Sequence, residues 1–333
     1  MFANFDETYI KELSQLLAKD FSREDWLAKV GRMSTGVITG DKVGLIPQGS
    51  FKNVVAASCN PTYTSIDNPA KTTWTIKEFG IYKELCYDNV LAELKRNQKL
   101  YNLADNEAVR VTMLEFVEKA MIESVVAHAF LGNSDASENV TTGLGDIDGV
   151  FAQAINAISG GTADASQAVA IATNSKAWAK TGTNAINVLE DLIDAAPAAV
   201  KGSDRAIIIC TQALYDAVRY DLTVNKGFYI QDQLNYLFGG MRETTYNGYR
   251  LVVMPELDNI IGQLQSGDQF YQKPLLAMMT TTDNLAFGSS SDDEAGIKSV
   301  EIWNDPRTKT TLVSAVYSLG AMLVDPKGFS IAY

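Results

Sequence analysis

The stretch from Asp105 to Val150 constrains the fold more than any other part of the chain. Val109, Met113, Phe116, Val117, Ala120, Met121, Ser124, Val125 and His128 recur at spacings of three and four, which stacks them on one face of an α-helix. Asp105 stands where an N-cap accepts the first free amides, and Glu107 lies in the favourable first turn. The periodic run covers about 26 residues, so roughly 39 Å at 1.5 Å per residue, enough to cross a whole domain. It closes on Phe130-Leu131-Gly132-Asn133. A polar turn follows from Ser134 to Asn139, and the chain resumes at Gly143-Leu144-Gly145-Asp146.

Upstream, residues 6–19 place Tyr9, Ile10, Leu13, Leu16 and Leu17 at helical spacing, and Ser22-Arg23-Glu24-Asp25 starts a short helix carrying Trp26 and Leu27. Pro47, Pro61 and Pro69 then exclude a long helix between 31 and 70. Thr72 to Ile76 alternates as a strand, followed by the apolar set Phe79, Ile81 and Leu85. Residues 45–80 read as a long two-stranded excursion with little core of its own. An isolated hairpin is marginal in water, so it must lie on its own domain or on a neighbouring subunit. Asp88 to Lys99 reads as a short helix.

From 151 to 283 the pattern is mixed. Ile186, Leu189, Leu192 and Ile193 predict a helix over 185–195, stopped by Pro197. Ala206 to Cys210 is an apolar run of strand length, hence a buried strand, and Thr211 to Tyr220 a helix. A Gly-rich loop holds Phe228, Tyr229, Tyr236 and Phe238. Asn247-Gly248 turns the chain into a strand, Tyr249 to Met254, broken by Pro255. The tail is strand-rich: Ser299 to Trp303, a turn at Asn304-Asp305-Pro306, then Thr310 to Tyr317, Gly320 to Val324 and Phe329 to Tyr333.

Composition narrows the function. With 46% hydrophobic residues in 333, the chain can bury a sizeable core. The 20% of charged residues falls below the roughly 25% of an average soluble domain, compatible with surface buried between subunits and with ordinary variation. The net charge is −12, and the densest basic cluster is Lys95-Arg96 with Lys99, so tight sequence-reading DNA binding is disfavoured. An acidic wall suits a DNA container past which the polymer slides. Cys59, Cys86 and Cys210 are far apart and form no Cys-x-x-Cys pair, against structural zinc and a disulfide framework. The chain shows neither a signal pattern nor the roughly 20 apolar residues of a membrane helix, so a cytoplasmic product without membrane contact is expected.

The candidate chemical motifs are weak. His128, the single histidine, sits on the apolar helix face and reads as a packed core residue rather than part of a triad. Asp146-Ile147-Asp148-Gly149 lacks the third ligand pair and closing Glu of a calcium loop and reads as a capped turn. Gly143-x-Gly145 with Gly149 has the wrong spacing for a dinucleotide fingerprint. Asp292-Asp293-Glu294 reads as a solvated loop and Cys210 as a small core residue. No catalytic, cofactor or metal site is expected, and no cofactor.

The order long helix, Phe-Leu-Gly-Asn end, Gly/Asp/Ser turn and Gly-Leu re-entry resembles the major capsid proteins of tailed bacteriophages, and the likeness runs through nearly the whole chain. The Trp74 strand looks like the exit of the arm called the E-loop, and 105–131 like the spine helix. Ile207-Ile208-Ile209 with the 211–220 helix resembles the axial-domain sheet. Phe238-Gly239-Gly240 with Asn247 to Val253 resembles the axial tip and its returning strand. Ser299 to Val324 resembles the long peripheral strand pair.

The resemblance implies an α+β, Hong-Kong-97-type fold: an N-terminal arm at 1–36, the E-loop and its flanks at 37–86, a peripheral domain at 87–147 and 285–322, and an axial domain at 148–284 and 323–333. It implies self-assembly into hexamers and pentamers of an icosahedral head around double-stranded DNA, contacted weakly and without sequence specificity. Portal and scaffolding proteins would be further partners. The location would be the virion, after assembly in the bacterial cytoplasm. Pro61, Tyr63, Trp74 and Ile76 in the arm, and Phe228, Tyr229, Phe238, Gly239 and Gly240 at the tip, become the subunit-contact candidates. No long charged scaffolding segment precedes residue 1; in the family a separate protein can do that work. Some relatives weld subunits through a Lys–Asn bond; Lys71 or Lys77 lies in the right arm, but no partner Asn or Glu follows from a motif. An encapsulin, with the same fold around a cargo enzyme docked on the 6–19 helix, is the first alternative. A soluble α/β enzyme is the second, disfavoured by the single His and by the lack of a phosphate loop or paired carboxylates.

Overall fold

The computed structural model describes residues 27, 30–45, 70–86, 95, 119–134, 144–225, 235–236, 242–264, 268–290, 297–305 and 310–333. The run Ala206–Thr211, strand β6, is buried along its whole length. It has a parallel neighbour on one side, β9 (Tyr249–Met254), and an antiparallel one on the other, β10 (Ala277–Thr281). Burial on both faces explains why its sequence does not alternate. Ile207 and Ile209 enter one apolar cluster with Val252, Met254 and Met278; Ile208 and Cys210 enter another with Val253 and Met279.

This seven-stranded sheet is completed by β14 (Phe329–Ala332) and β5 (Ala168–Val169) beyond β10, and by β8 (Arg242–Tyr246) and β7 (Asn235–Tyr236) beyond β9. Asn247 and Gly248, at φ 51° and 85°, make the tight turn from β8 to β9, as their sequence predicts. Five helices matter for packing. Helix α1 comprises residues 119–126, and α2 is Val150–Ser159. Helix α3 is Asn184–Ala195, α4 Gln212–Tyr220 and α5 Pro255–Gln263. Helices α3 and α4 pack on the Ile208 side of the sheet, α2 and α5 on the Ile207 side.

Pro255 does more than break β9: it opens α5 at a position where its missing N–H costs no helical bond. Asp258, one turn in, reaches the start of α4 and accepts from the amides of Gln212 at 2.7 Å and Ala213 at 3.2 Å. Thr211 adds its hydroxyl as N-cap, accepting from the Leu214 amide. Burial pushes the Asp258 carboxyl above its ordinary range, although the two amides and Lys176, 3.7 Å away, pull the other way.

The second sheet is organised by β13 (Thr310–Leu323), 14 residues long. Residues 310–319 pair with β4 (Lys77–Cys86), and 310–317 with β12 (Ile297–Asp305) on the opposite edge. The last four residues pair with β11 (Leu285–Gly288), which carries β1 (Arg32–Ser34) in parallel. Gly320, expected to open a separate segment, lies inside this strand. Residues 306–309, with the expected turn at Pro306, are outside the described residues, as are 105–118, most of 88–99 and 292–294.

The final turns of the long amphipathic helix are seen. Met121, Val125 and His128 are buried on the expected face, and the helix ends in a π turn, Ala127–Leu131. Phe130 and Leu131 are fully buried, with Phe287 5.7 Å and Phe151 6.3 Å from the Phe130 ring. Two glycines let the chain cross itself here. The Gly149 amide donates to the Gly132 carbonyl at 2.8 Å, and Asn133 to Leu144 at 2.8 Å. A Cβ on Gly132 would overlap the Ile147 carbonyl oxygen, and one on Gly149 would lie 2.5 Å from the Phe130 carbonyl carbon.

Two outcomes follow. Gly132→Ala puts a methyl group against backbone that cannot yield, and urea titration should show a loss of about 2–3 kcal/mol or more, the scale of core overpacking. The folded-state pKa of Asp258 lies above its unfolded value of 3.8. Its contribution is therefore fully present below pH 3.8 and lost as pH rises through the folded pKa. Urea titrations from pH 3.5 to 7 should show wild type losing stability relative to Asp258→Asn over that window.

Candidate functional site

Of the nine contact candidates only Trp74 and Ile76 fall among the described residues; Pro61, Tyr63, Phe228, Tyr229, Phe238, Gly239 and Gly240 lie outside them. Both sit at the root of a ribbon formed by β2 (Lys42–Leu45) and β3 (Ala70–Thr73), paired antiparallel from Lys42↔Thr73 to Leu45↔Ala70. The excursion expected over 45–80 is thus two-stranded at its base with shifted boundaries. Its returning strand ends at Thr73, and 77–86 belongs to the sheet of β13.

Trp74 is 2% exposed, so its side chain is enclosed by its own chain. Its backbone is tied to the preceding turn, the Trp74 amide donating to Asp41 at 2.8 Å and the Gly40 amide donating to the Trp74 carbonyl at 2.9 Å. The six-membered ring lies over Gly288 and Gly320, which face each other in register across β11 and β13. Ala286, Met322 and Val324 complete this small cluster, with Val37, Val43 and a half-buried Ile76 at its rim. The Thr39 hydroxyl donates to the Ile76 carbonyl and accepts from the Ile76 amide, each at 3.1 Å. The Thr72 hydroxyl donates to the Val324 carbonyl at 3.0 Å. Sequence reading missed the two glycines. A glycine inside a strand marks close approach of another group, and Gly288 and Gly320 carry that signal.

His128 is a core residue, as its position on the helix predicts. Its Nδ1 lies 2.6 Å from the Ser124 carbonyl oxygen, which can only accept, so Nδ1 carries the proton. The Ser124 hydroxyl is 2.6 Å from that of Tyr317, which is 3.3 Å from Nδ1. A protonated Nδ1 cannot take a proton from either hydroxyl, so this group does not activate a nucleophile through it. The Phe79 ring covers the imidazole at 3.9 Å. Burial pushes the Tyr317 phenol far above its ordinary range, and the Cys210 thiol likewise, helped there by Asp258 and Asp216.

Asp148 accepts from the Ser134 amide at 2.7 Å, a tie to the end of the long helix. Among the described residues no group of three or more His, Cys, Asp or Glu side chains could hold a metal ion, and no helix is long and apolar enough to cross a membrane. An open cleft of about 520 Å³ lies beside Asp164, Pro197 and Lys327. Its buried Gln167 donates to the Lys327 and Phe329 carbonyls and accepts from the Asp164 amide, so it holds the chain together.

No protein-family model matches the sequence, and no curated protein resembles it. Solved structures do. A chain of the satellite phage P4 procapsid that includes size determination (Sid) protein superposes with a TM-score of 0.55 at 11% identity, covering 100% of this chain and 92% of its own. A chain of Mycobacterium phage Ogopogo follows, with a TM-score of 0.53 at 10% identity, covering 92% of this chain and 90% of its own. The fold is the Hong-Kong-97-type fold of phage capsid structures, shared over essentially the whole length.

If the Ser124–His128–Tyr317 group is packing, Tyr317→Phe should cost about 1–2 kcal/mol, the penalty for stranding a buried hydrogen-bond partner, in urea unfolding. Its crystal structure should keep His128 in place.

Proposed function

We propose that this chain is a major capsid protein that assembles into hexamers and pentamers of an icosahedral phage head around double-stranded DNA. The observation that carries the reading is the procapsid match, which covers 100% of this chain and 92% of the matched one. The ribbon at 42–45 and 70–73 supports it, because a two-stranded element is marginal by itself in water and gains from a second surface. In this reading the protein is not an enzyme, and its work is geometric. Head-to-tail contacts close into rings when the rotation per subunit permits, and many weak contacts add up to a firm shell.

The domain assignment goes with this reading. The N-terminal arm is 1–36 and the E-loop with its flanks 37–86; the peripheral domain is 87–147 and 285–322, the axial domain 148–284 and 323–333. Contacts fall to the chain beyond Leu45, with Pro61 and Tyr63, and to the tip, with Phe228, Tyr229, Phe238, Gly239 and Gly240. Portal and scaffolding proteins are the further partners. The net charge of −12 leaves DNA held loosely. The protein resides in the virion after assembly in the bacterial cytoplasm.

Expressed alone and with a scaffolding partner, the chain should give closed shells or capsomer rings in negative-stain electron microscopy. A monomer that persists under both conditions defeats the proposal. Small shells that capture a co-expressed cargo enzyme would assign it to the encapsulins.

A further inference from the structure

We propose that Trp74, seated on the Gly288–Gly320 pair, is the positioning residue that fixes the direction in which the β2–β3 ribbon leaves the subunit, and through it the curvature at which subunits join. The second half of this inference rests on the capsid reading; the first half stands on the geometry alone.

The ribbon has two strands of four residues each, and Val43 at its base packs against the Trp74 cluster. Its direction therefore depends on what holds its root. Three attachments do so, and together they span the short ladder between β11 and the end of β13. The Trp74 ring lies on Gly288 and Gly320; the Thr72 hydroxyl holds the Val324 carbonyl; and the Val37 amide holds the Ser289 carbonyl at 2.9 Å. The Thr39–Ile76 pair then locks the two legs of the root to each other.

The glycine pair is the telling feature. Glycine weakens a strand, yet one stands in each of two adjacent strands, directly opposite the other. An aromatic ring laid across strand glycines makes good the packing they lack. A Cβ on Gly288 would lie 2.9 Å from Trp74 Cζ3, and one on Gly320 would lie 2.8 Å from the Thr75 carbonyl oxygen and 3.3 Å from Trp74 Cε3. Only a bare backbone admits the ring at this depth. A side chain there lifts the ring, and with it the backbone that continues into β3. A tilt of about 10° at the root displaces the far end of a ~13 Å strand by roughly 2 Å, and more for chain farther out.

The test places spin labels at Lys42→Cys on the ribbon and Lys327→Cys on the body, both exposed, with Cys59 and Cys86 changed to Ser and the buried Cys210 left in place. Their separation is measured by pulsed electron resonance in wild type, Gly288→Ala, Thr72→Val, and Gly288→Ala combined with Trp74→Phe. Shell size is scored for the same substitutions in the unlabelled chain. Gly288→Ala should shift or broaden the distance while the unfolding midpoint stays within about 2 °C, too small a change for a general loss of core. The smaller Phe ring should restore it. Thr72→Val should broaden it without repacking anything. Assembly should change in step, with closed shells of wild-type diameter falling about tenfold in Gly288→Ala and recovering in the double variant. An unchanged distance overturns the positioning role, and a shifted distance with wild-type shells overturns its link to curvature. A shifted distance in a chain that never assembles, wild type included, overturns the capsid reading while upholding Trp74 as the residue that aims the ribbon.

Discussion

Strand β13 has its backbone hydrogen bonds filled on both edges, and the second sheet and helix α2 are joined through them. Every residue of a strand offers an N–H and a C=O that must find partners when buried. Over 310–317 the partners are β4 on one side and β12 on the other. Beyond Leu319, β11 takes one edge. The remaining edge is met by the amide of Gln153 on α2, which donates to the Ala321 carbonyl and accepts from the Leu323 amide, each at 2.8 Å. A single side chain thus stands in for a strand and ties the helix to the sheet. Tyr317 points from the same strand into the His128 cluster, and Gly320 receives Trp74.

The two sheets do not have separate interiors. Phe130, Phe151, Phe270 and Phe287 pass one apolar cluster from the helix end to both sheets, with Met278 and Ile331 from one sheet and Tyr317 and Leu323 from the other. Packed interiors are dense and resist small displacements. The sheets and α2 therefore form a stiff block, whereas the ribbon root rests on a separate, smaller cluster around Trp74. Stiffness of the block and dependence of the ribbon on one ring are two sides of the same arrangement.

What could be read from sequence was what depends on neighbours along the chain. The unbroken run at 206–210, the helix stopped before Pro197, the Asn247-Gly248 turn and the buried face carrying Met121, Val125 and His128 all rest on local periodicity or turn chemistry, and all are present. What could not be read depends on partners far away. Alternation shows that Trp74 and Ile76 share a face but not which body covers it; the answer lies with glycines more than 200 residues on. Pro255 was visible as the end of a strand, but its second role needed Glu256 and Asp258 to be read as the first turn of a helix. Gly320 resembled a boundary because its partner Gly288 and the overlying ring were not in view. The candidate site was legible only as a region, since periodicity marks apolar residues in the arm and tip without naming the surface that meets them.

The π turn at Ala127–Leu131 has a consequence for which changes of length this chain can accept. Such a turn holds one residue more than the α-helical path between the same points. Each residue added to or taken from an α-helix rotates everything after it by about 100°. Losing one residue between 127 and 131 would return the segment to ordinary helix between the same points and leave Gly132 against Ile147 and Gly149. Substitutions can accumulate along the helix wherever its buried face is kept. A single deletion here can be absorbed, whereas a further insertion would rotate Gly132 out of the crossing, so homologues should have at most one residue fewer through this turn and none more.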